Sequence, residues 1–318
     1  MAAESVWKLG GLSVRELGKR VWNEIDKDDV LGHSAELAYY FTFALFPLLL
    51  VLISVLGMLA STGSAVRSSL MQYMADVMPG SANQLIQSTL TEITKSSGGG
   101  KLSFGLILSL WSASAGVAAL MSTLNVTYDV KEGRPFWKVR AIAVALTIAL
   151  SILIISSLIL VLYGGRIADG VGNAIHMGSA FTIGWRVVQW PVAIFFLLVS
   201  FAMVYYFAPN VEHRKWYWIT PGSVLGVFLW LVASIGFKIY LNYFNTYSAT
   251  YGSVGAVIIL LTWLYVSGVA ILIGSEVNSE IEHAAAAHGD PEAKAEGGKT
   301  PQGVQSAKSR PAEKRPAA

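Results

Sequence analysis

Apolar residues in this chain fall in long uncharged runs, not in alternation with polar ones. The first run, residues 37–60, reads LAYYFTFALFPLLLVLISVLGMLA, 24 residues without a charge. At about 1.5 Å per residue a helix of that length crosses a hydrocarbon core of roughly 30 Å. Five more runs follow, at residues 102–126, 141–163, 187–208, 219–237 and 254–275. Backbone groups in lipid have to be paired within the segment, and the ten-residue alternation of barrel strands is missing from the sequence. The pattern therefore predicts an all-α polytopic membrane protein with six transmembrane helices.

The segments between the runs carry their own periodicity. Ser13-Val14-Arg15-Glu16 is a capping box, and Val14, Leu17, Val21, Trp22 and Ile25 then recur at helical spacing beside Arg15, Lys19 and Arg20. This predicts an amphipathic helix in the N-terminal segment 1–36. It either lies on the membrane face or packs under the bundle. A cleavable signal peptide is not expected, because the first apolar run comes late and is too long. In the longest loop, 61–101, helical spacing runs through Val66, Leu70, Tyr73, Met74 and Val77. It breaks at Pro79-Gly80 and resumes at Leu85, Ile86, Leu90 and Ile93. An outer helical hairpin over about 65–95 is expected there. Thr220 and Pro221 suit the N-cap and N1 positions of the fifth run. Residues 284–318, rich in Ala, Pro, Gly, Lys and Glu, are expected to form a disordered tail, leaving 37–283 as the membrane domain.

Composition sharpens this picture. Charged residues make up 14% of the 318, against about 25% in ordinary soluble domains, and there is no cysteine for a disulfide or a thiolate metal site. Seventeen of the 23 Lys and Arg lie in the two tails and in the loops after the second and fourth runs. By the positive-inside rule both termini face the cytoplasm. Soluble-enzyme motifs fail: there is no HExxH or GxSxG. Gly298-Lys299-Thr300 resembles the end of a P-loop, but Ala293 stands where its first glycine belongs. The five histidines are scattered and the runs hold almost no Asp or Glu. No catalytic centre, metal or cofactor and no nucleic-acid partner is expected.

Polar groups at the run ends are the better lead, since each is costly in lipid unless partnered. His33 and Glu36 lie at the mouth of the first run, Asn125 and Asp129 at the end of the second, and Glu276 and Asn278 at the end of the last. On the predicted topology all six share the cytoplasmic end. They form either a polar vestibule for a substrate headgroup or proton, or helix caps and interfacial anchors. Pro47 interrupts the first run, as a hinge or as a tolerated transmembrane proline. Trp111, Trp230 and Trp263 sit deep in their runs, where they line a path or simply pack. Gly222-x-x-x-Gly226 and Gly274 permit close helix approach.

These stretches carry a resemblance. The run AELAYYFTFALFPLLLVLISVLG (35–57) resembles the first span of the YihY/BrkB family of bacterial inner-membrane proteins. Leu124-Asn125 with Arg134-Pro135-Phe136-Trp137-Lys138 is similar to that family's loop after span two. Tyr251-Gly252-Ser253-Val254-Gly255-Ala256, Trp263-Leu264-Tyr265 and Gly274-Ser275-Glu276-Val277-Asn278 are similar to its last span. The resemblance covers about residues 15–283. It implies six spans in the bacterial cytoplasmic membrane, but no catalytic residue set. Members have carried the label ribonuclease BN, widely held to be a misassignment, and have been linked to virulence and to envelope transport. The reading drawn from sequence is a transporter or flippase-like protein acting in the bilayer on a lipidic or amphipathic envelope component. A non-transporting envelope scaffold is the alternative, and a membrane-bound ribonuclease a third reading.

Overall fold

The computed structural model describes residues 6–60, 99–174, 178–212, 217–243 and 247–302. Its described residues are helical, joined by short turns and loops. A short 3-10 segment, Val6–Gly11, precedes α1 (Val14–Lys27). The long helices are α2 (Val30–Ala60), α3 (Gly99–Thr127), α4 (Phe136–Ala174), α5 (Gly178–Phe207), α6 (Pro221–Tyr243) and α7 (Tyr247–Ala287). The expected outer hairpin at 65–95 lies outside the described residues.

Local chemistry sets the helix ends. The Ser13 side chain accepts from the Glu16 amide while Glu16 reaches back to the Ser13 amide, which closes the capping box of α1. Asp29 caps α2 by accepting from the Gly32 amide at 3.2 Å. Thr220 and Ser223 cap the start of α6 reciprocally, with Pro221 at the first helical position. At its far end α3 closes with Val130 N–H bonded to Asn125 O and Asp129 N–H to Val126 O, and Asp129 stands in the left-handed region at φ 50°. The same closure ends α7, with Gly289 at φ 84°.

Among the described residues, five helices contain segments long and apolar enough to cross a membrane: 107–127, 136–157, 184–207, 221–241 and 257–287. Large apolar side chains such as Ile152, Phe195, Phe228 and Ile235 stand exposed along them. In water such a surface would be an association hazard, but toward lipid tails it is the expected one. Helix α2, 31 residues long, carries the first apolar run and continues through Pro47. Pro191 likewise lies inside α5.

The helices approach closely where glycine removes a side chain. A Cβ at Gly222 would meet the Gly274 carbonyl and the Asn278 side chain, and one at Gly274 would meet the Tyr205 hydroxyl. Tyr205 itself donates to Ile271 O at 2.8 Å, joining α5 to α7. The glycine spacing read from sequence thus marks the α6–α7 crossing. A buried core of Leu37, Leu120, Met121, Leu124, Leu146, Val204, Val227 and Leu272 joins α2 through α7.

One open alternative is decided and one expectation is corrected. The amphipathic helix α1 packs under the bundle: Leu17 and Val21 are buried against Val277 and Ile281 of α7. Residues 284–302 are not a loose tail. Helix α7 runs on to Ala287, Gln302 N–H bonds Ala293 O, Glu212 N–H bonds Lys299 O, and Lys294 is fully buried. Helix α7, about 60 Å long at 1.5 Å per residue, is twice the hydrocarbon thickness, so its last turns project beyond it. That projection is the post to which the N-terminal segment and the tail attach.

Candidate functional site at the polar end of the bundle

One end of the bundle gathers the N-terminal segment, the α3–α4 and α5–α6 connections and residues 288–302. All six polar positions singled out from sequence lie there, in three different settings. Asn125 is a staple. Its side chain donates to Glu132 at 3.0 Å and accepts from the Asn210 amide at 2.7 Å. Glu132 also takes the Arg134 guanidinium, which donates onward to Ala208 O. Burial opposes the charged form of Glu132, but the bonds from Arg134 and Asn125 outweigh it and hold the carboxyl at about 2. Asn278 is a cap: it accepts from the Gly222 amide at 2.9 Å at the start of α6 and also bonds the buried Tyr128 hydroxyl. His33 and Glu36 pair with each other at 3.1 Å near the surface.

Glu276 and Asp129 form the third setting, together with groups the sequence reading did not single out. Glu276 is 1% exposed and its Oε1 has no hydrogen-bond partner. Asp28, Glu24, Asp129 and Glu280 all act on it electrostatically, Asp28 most strongly. Asp28 sits in the α1–α2 elbow, and its Oδ2 is likewise buried without a partner. Burial, then the charges of Asp129 and Glu24, push its carboxyl up to about 6. Cations line the rim. Lys27 meets Glu24 at 2.8 Å, Glu296 at 3.3 Å and Asp129 at 3.9 Å, and Arg20 meets Glu280 at 3.5 Å. The hydrogen bond from Lys27 to Glu24 leads in raising the lysine above its ordinary range.

Beside the acids, Lys294 Nζ donates to Tyr128 O at 2.9 Å and lies 2.8 Å from His283 Nε2. Burial lowers the lysine, while Glu282, Asp129, Glu280 and Glu296 pull the other way. Because an ammonium only donates, His283 Nε2 accepts, which leaves the ring proton on Nδ1, facing Glu280 at 3.4 Å. Glu276, Glu280 and His283 follow i, i+4, i+7 spacing on α7, so that face was legible. Asp28 and Lys294 enter from an elbow and a tail, where periodicity is silent.

The described residues include no group of three or more His, Asp or Glu placed to hold a metal ion. The three tryptophans divide. Trp230 and Trp263 pair edge to face at 6.1 Å, with Trp230 Nε1 donating to Ser267. Trp111 packs under the Arg140 guanidinium, 4.3 Å from its ring centre, and its carbonyl accepts from Arg140.

A profile of the family described as Virulence factor BrkB matches residues 21–298. The chain belongs to the BrkB family. It is 37% identical over 246 residues to YfkH of Bacillus subtilis (strain 168), a protein named as ribonuclease-like; the match covers 77% of this chain and 88% of YfkH. It is 26% identical over 272 residues to a UPF0761 membrane protein of Xanthomonas oryzae pv. oryzae (strain PXO99A), and similarly to XAC0937 of Xanthomonas axonopodis pv. citri (strain 306). Those matches cover 83% of this chain but only 60% of each Xanthomonas protein. No solved structure matches. As a BrkB-family protein with five apolar membrane-length segments among its described residues, the chain is a multi-pass helical protein of the bacterial cytoplasmic membrane.

Proposed function

We propose that this BrkB-family protein moves a lipidic or amphipathic envelope component across the membrane, and that the acidic mouth around Glu276 serves that movement. One observation carries the reading: a carboxylate at the end of a membrane-crossing helix, 1% exposed, with an oxygen that no donor satisfies. Ionisable groups at such positions are costly, and where they persist they mark substrate, ion or proton pathways. The Lys and Arg bias puts this mouth on the cytoplasmic side. On α2 the aromatic groups Tyr39, Tyr40 and Phe43 stand exposed, which suits contact with acyl chains.

On this reading the protein is not an enzyme, and the ribonuclease-like name stays with YfkH. The test uses purified protein in vesicles of phosphatidylethanolamine and phosphatidylglycerol carrying fluorescent phosphatidylethanolamine, with dithionite quenching of the outer leaflet as readout. Wild type should translocate the lipid, Glu276→Gln should slow it at least tenfold, and Glu36→Gln, at the exposed pair, should not. Equal rates in wild type, Glu276→Gln and empty vesicles would sink the reading. Cleavage of RNA by the same preparation with divalent metal would favour the nuclease instead.

A further inference from the structure

We propose that Arg140, with Trp111 and Trp137 around it, binds the phosphate of an anionic phospholipid on the lipid-facing flank of α3 and α4. The first observation is a cation placed where a membrane protein avoids one. Arg140 lies inside the apolar segment 136–157, and its guanidinium meets α3 at Trp111, inside the apolar segment 107–127. Trp111 comes 16 residues, about 24 Å, before the end of α3, so the arginine is turned into the helix crossing and not out to the polar end. A cation there is costly unless something answers its charge. The protein answers little of it. Of the five N–H groups a guanidinium can donate, one goes to Trp111 O at 2.6 Å, and that carbonyl already takes the Ser114 hydroxyl at 2.7 Å. Nε is buried without a partner, and among the described residues no carboxylate pairs with Arg140. Arg134, in the same connection, is by contrast held by Glu132 and by Ala208 O.

The second observation is what surrounds the guanidinium. It lies over the Trp111 ring, 4.3 Å from the centre, and that tryptophan is about half exposed. Trp137 precedes Arg140 by three residues, on the same side of α4, and stands exposed as well. Ile107 and Leu108 of α3 and Ile148 and Ile152 of α4 continue the exposed apolar surface. A ligand of this flank has to present an anion and apolar chains together, as a phospholipid does. Its phosphate takes paired N–H bonds from a guanidinium, and tryptophan suits the level between headgroup and chains. A net-negative headgroup such as phosphatidylglycerol fits better than phosphatidylcholine, whose ammonium finds no carboxylate paired to Arg140. The Lys and Arg bias assigns the site to the cytoplasmic leaflet, where basic sites between helices hold anionic headgroups.

The site does not involve Glu276, and its test involves no translocation. Full-length protein in neutral detergent is titrated with phosphatidylglycerol or phosphatidylcholine of the same acyl chains, and native mass spectrometry counts the lipids retained. Wild type should hold one phosphatidylglycerol about tenfold more tightly than phosphatidylcholine. Arg140→Gln should remove that preference. Arg140→Lys should keep only part of it, because an ammonium loses the bidentate fit. Lys138→Gln, on another face of α4, should leave it intact, and millimolar inorganic phosphate should not displace the lipid. Thermal unfolding shows whether each variant is folded; if Arg140→Gln is not, the wild-type preference and its response to Arg140→Lys decide the matter. Equal retention of both lipids by wild type, an equal loss in Lys138→Gln and Arg140→Gln, or displacement by inorganic phosphate would overturn the site. So would a dimer that excludes the lipid and that Arg140→Gln breaks apart, since a second copy would then cover this flank.

Discussion

Lys294 gives the sharpest test of how the closing segment is held. It is fully buried, its Nζ donates to Tyr128 O at 2.9 Å and meets His283 Nε2 at 2.8 Å, and its backbone amide leans on Glu282. Replacing it with Ala removes three buried methylenes, at about 0.8 kcal/mol each, and two polar contacts at roughly 1 kcal/mol each. Relief of the cost of burying an ammonium offsets part of that sum. The net is about 2–4 kcal/mol against docking of residues 288–302, which converts to roughly 30- to 1,000-fold more frequent local opening. Lys294→Met keeps the stem and loses only the polar contacts, so it should cost about 1 kcal/mol, near fivefold. Hydrogen exchange at the amides of Gln302, Gly298 and Glu212 reads this opening directly, since each is bonded within or onto the segment. Exchange should quicken in the order wild type, Met, Ala, while amides deep in α3 stay unchanged. Identical protection of 293–302 in all three proteins would refute the docked segment and return it to a solvated tail.

Other consequences follow from the same packing. Gly222→Ala drives a methyl into the Gly274 carbonyl and the Asn278 cap, so it should lower stability by about 1–3 kcal/mol in thermal unfolding. Gly18→Ala on α1, where a Cβ meets nothing within 4 Å, should be neutral or raise stability by up to about 1 kcal/mol. Ser13→Ala removes one side of the α1 capping box and should cost about 0.5–2 kcal/mol, seen as faster exchange at the start of α1. Glu132 is held down from its ordinary 4.5 to about 2. Its contribution is therefore present above 4.5 and lost as pH falls toward 2, about 1 kcal/mol after allowance for solvent screening, and Glu132→Gln should flatten that limb of the stability curve. Asp28 is raised from 3.8 to about 6. Its contribution is present below 3.8 and lost as pH rises through 6, again about 1 kcal/mol once screened, and Asp28→Asn should abolish that loss.

The sequence by itself determined the helices and their membrane setting. Uncharged runs of 19 or more residues admit one solution in lipid, and caps such as Ser13–Glu16 and Thr220–Pro221 are short-range chemistry that any chain carries on its face. The α6–α7 crossing was also legible, because Gly222 and Gly274 are small for a reason that helical spacing reveals. Tertiary structure decided everything that depends on charge meeting charge across the chain. Lys27 and Glu296 are 269 residues apart and Lys294 reaches the Tyr128 carbonyl across 166, so no local pattern could pair them. Asn125, Asn278 and Glu276 looked alike in sequence, as polar groups near helix ends. Folding made the first a loop staple and the second a helix cap, and left the third with an unsatisfied oxygen. Alanine-, proline- and lysine-rich composition suggested that residues 284–318, and 288–302 among them, would stay in water. The projecting end of α7 reversed that outcome by offering Lys294 a carbonyl, an imidazole and nearby carboxylates, partners a solvated tail would lack.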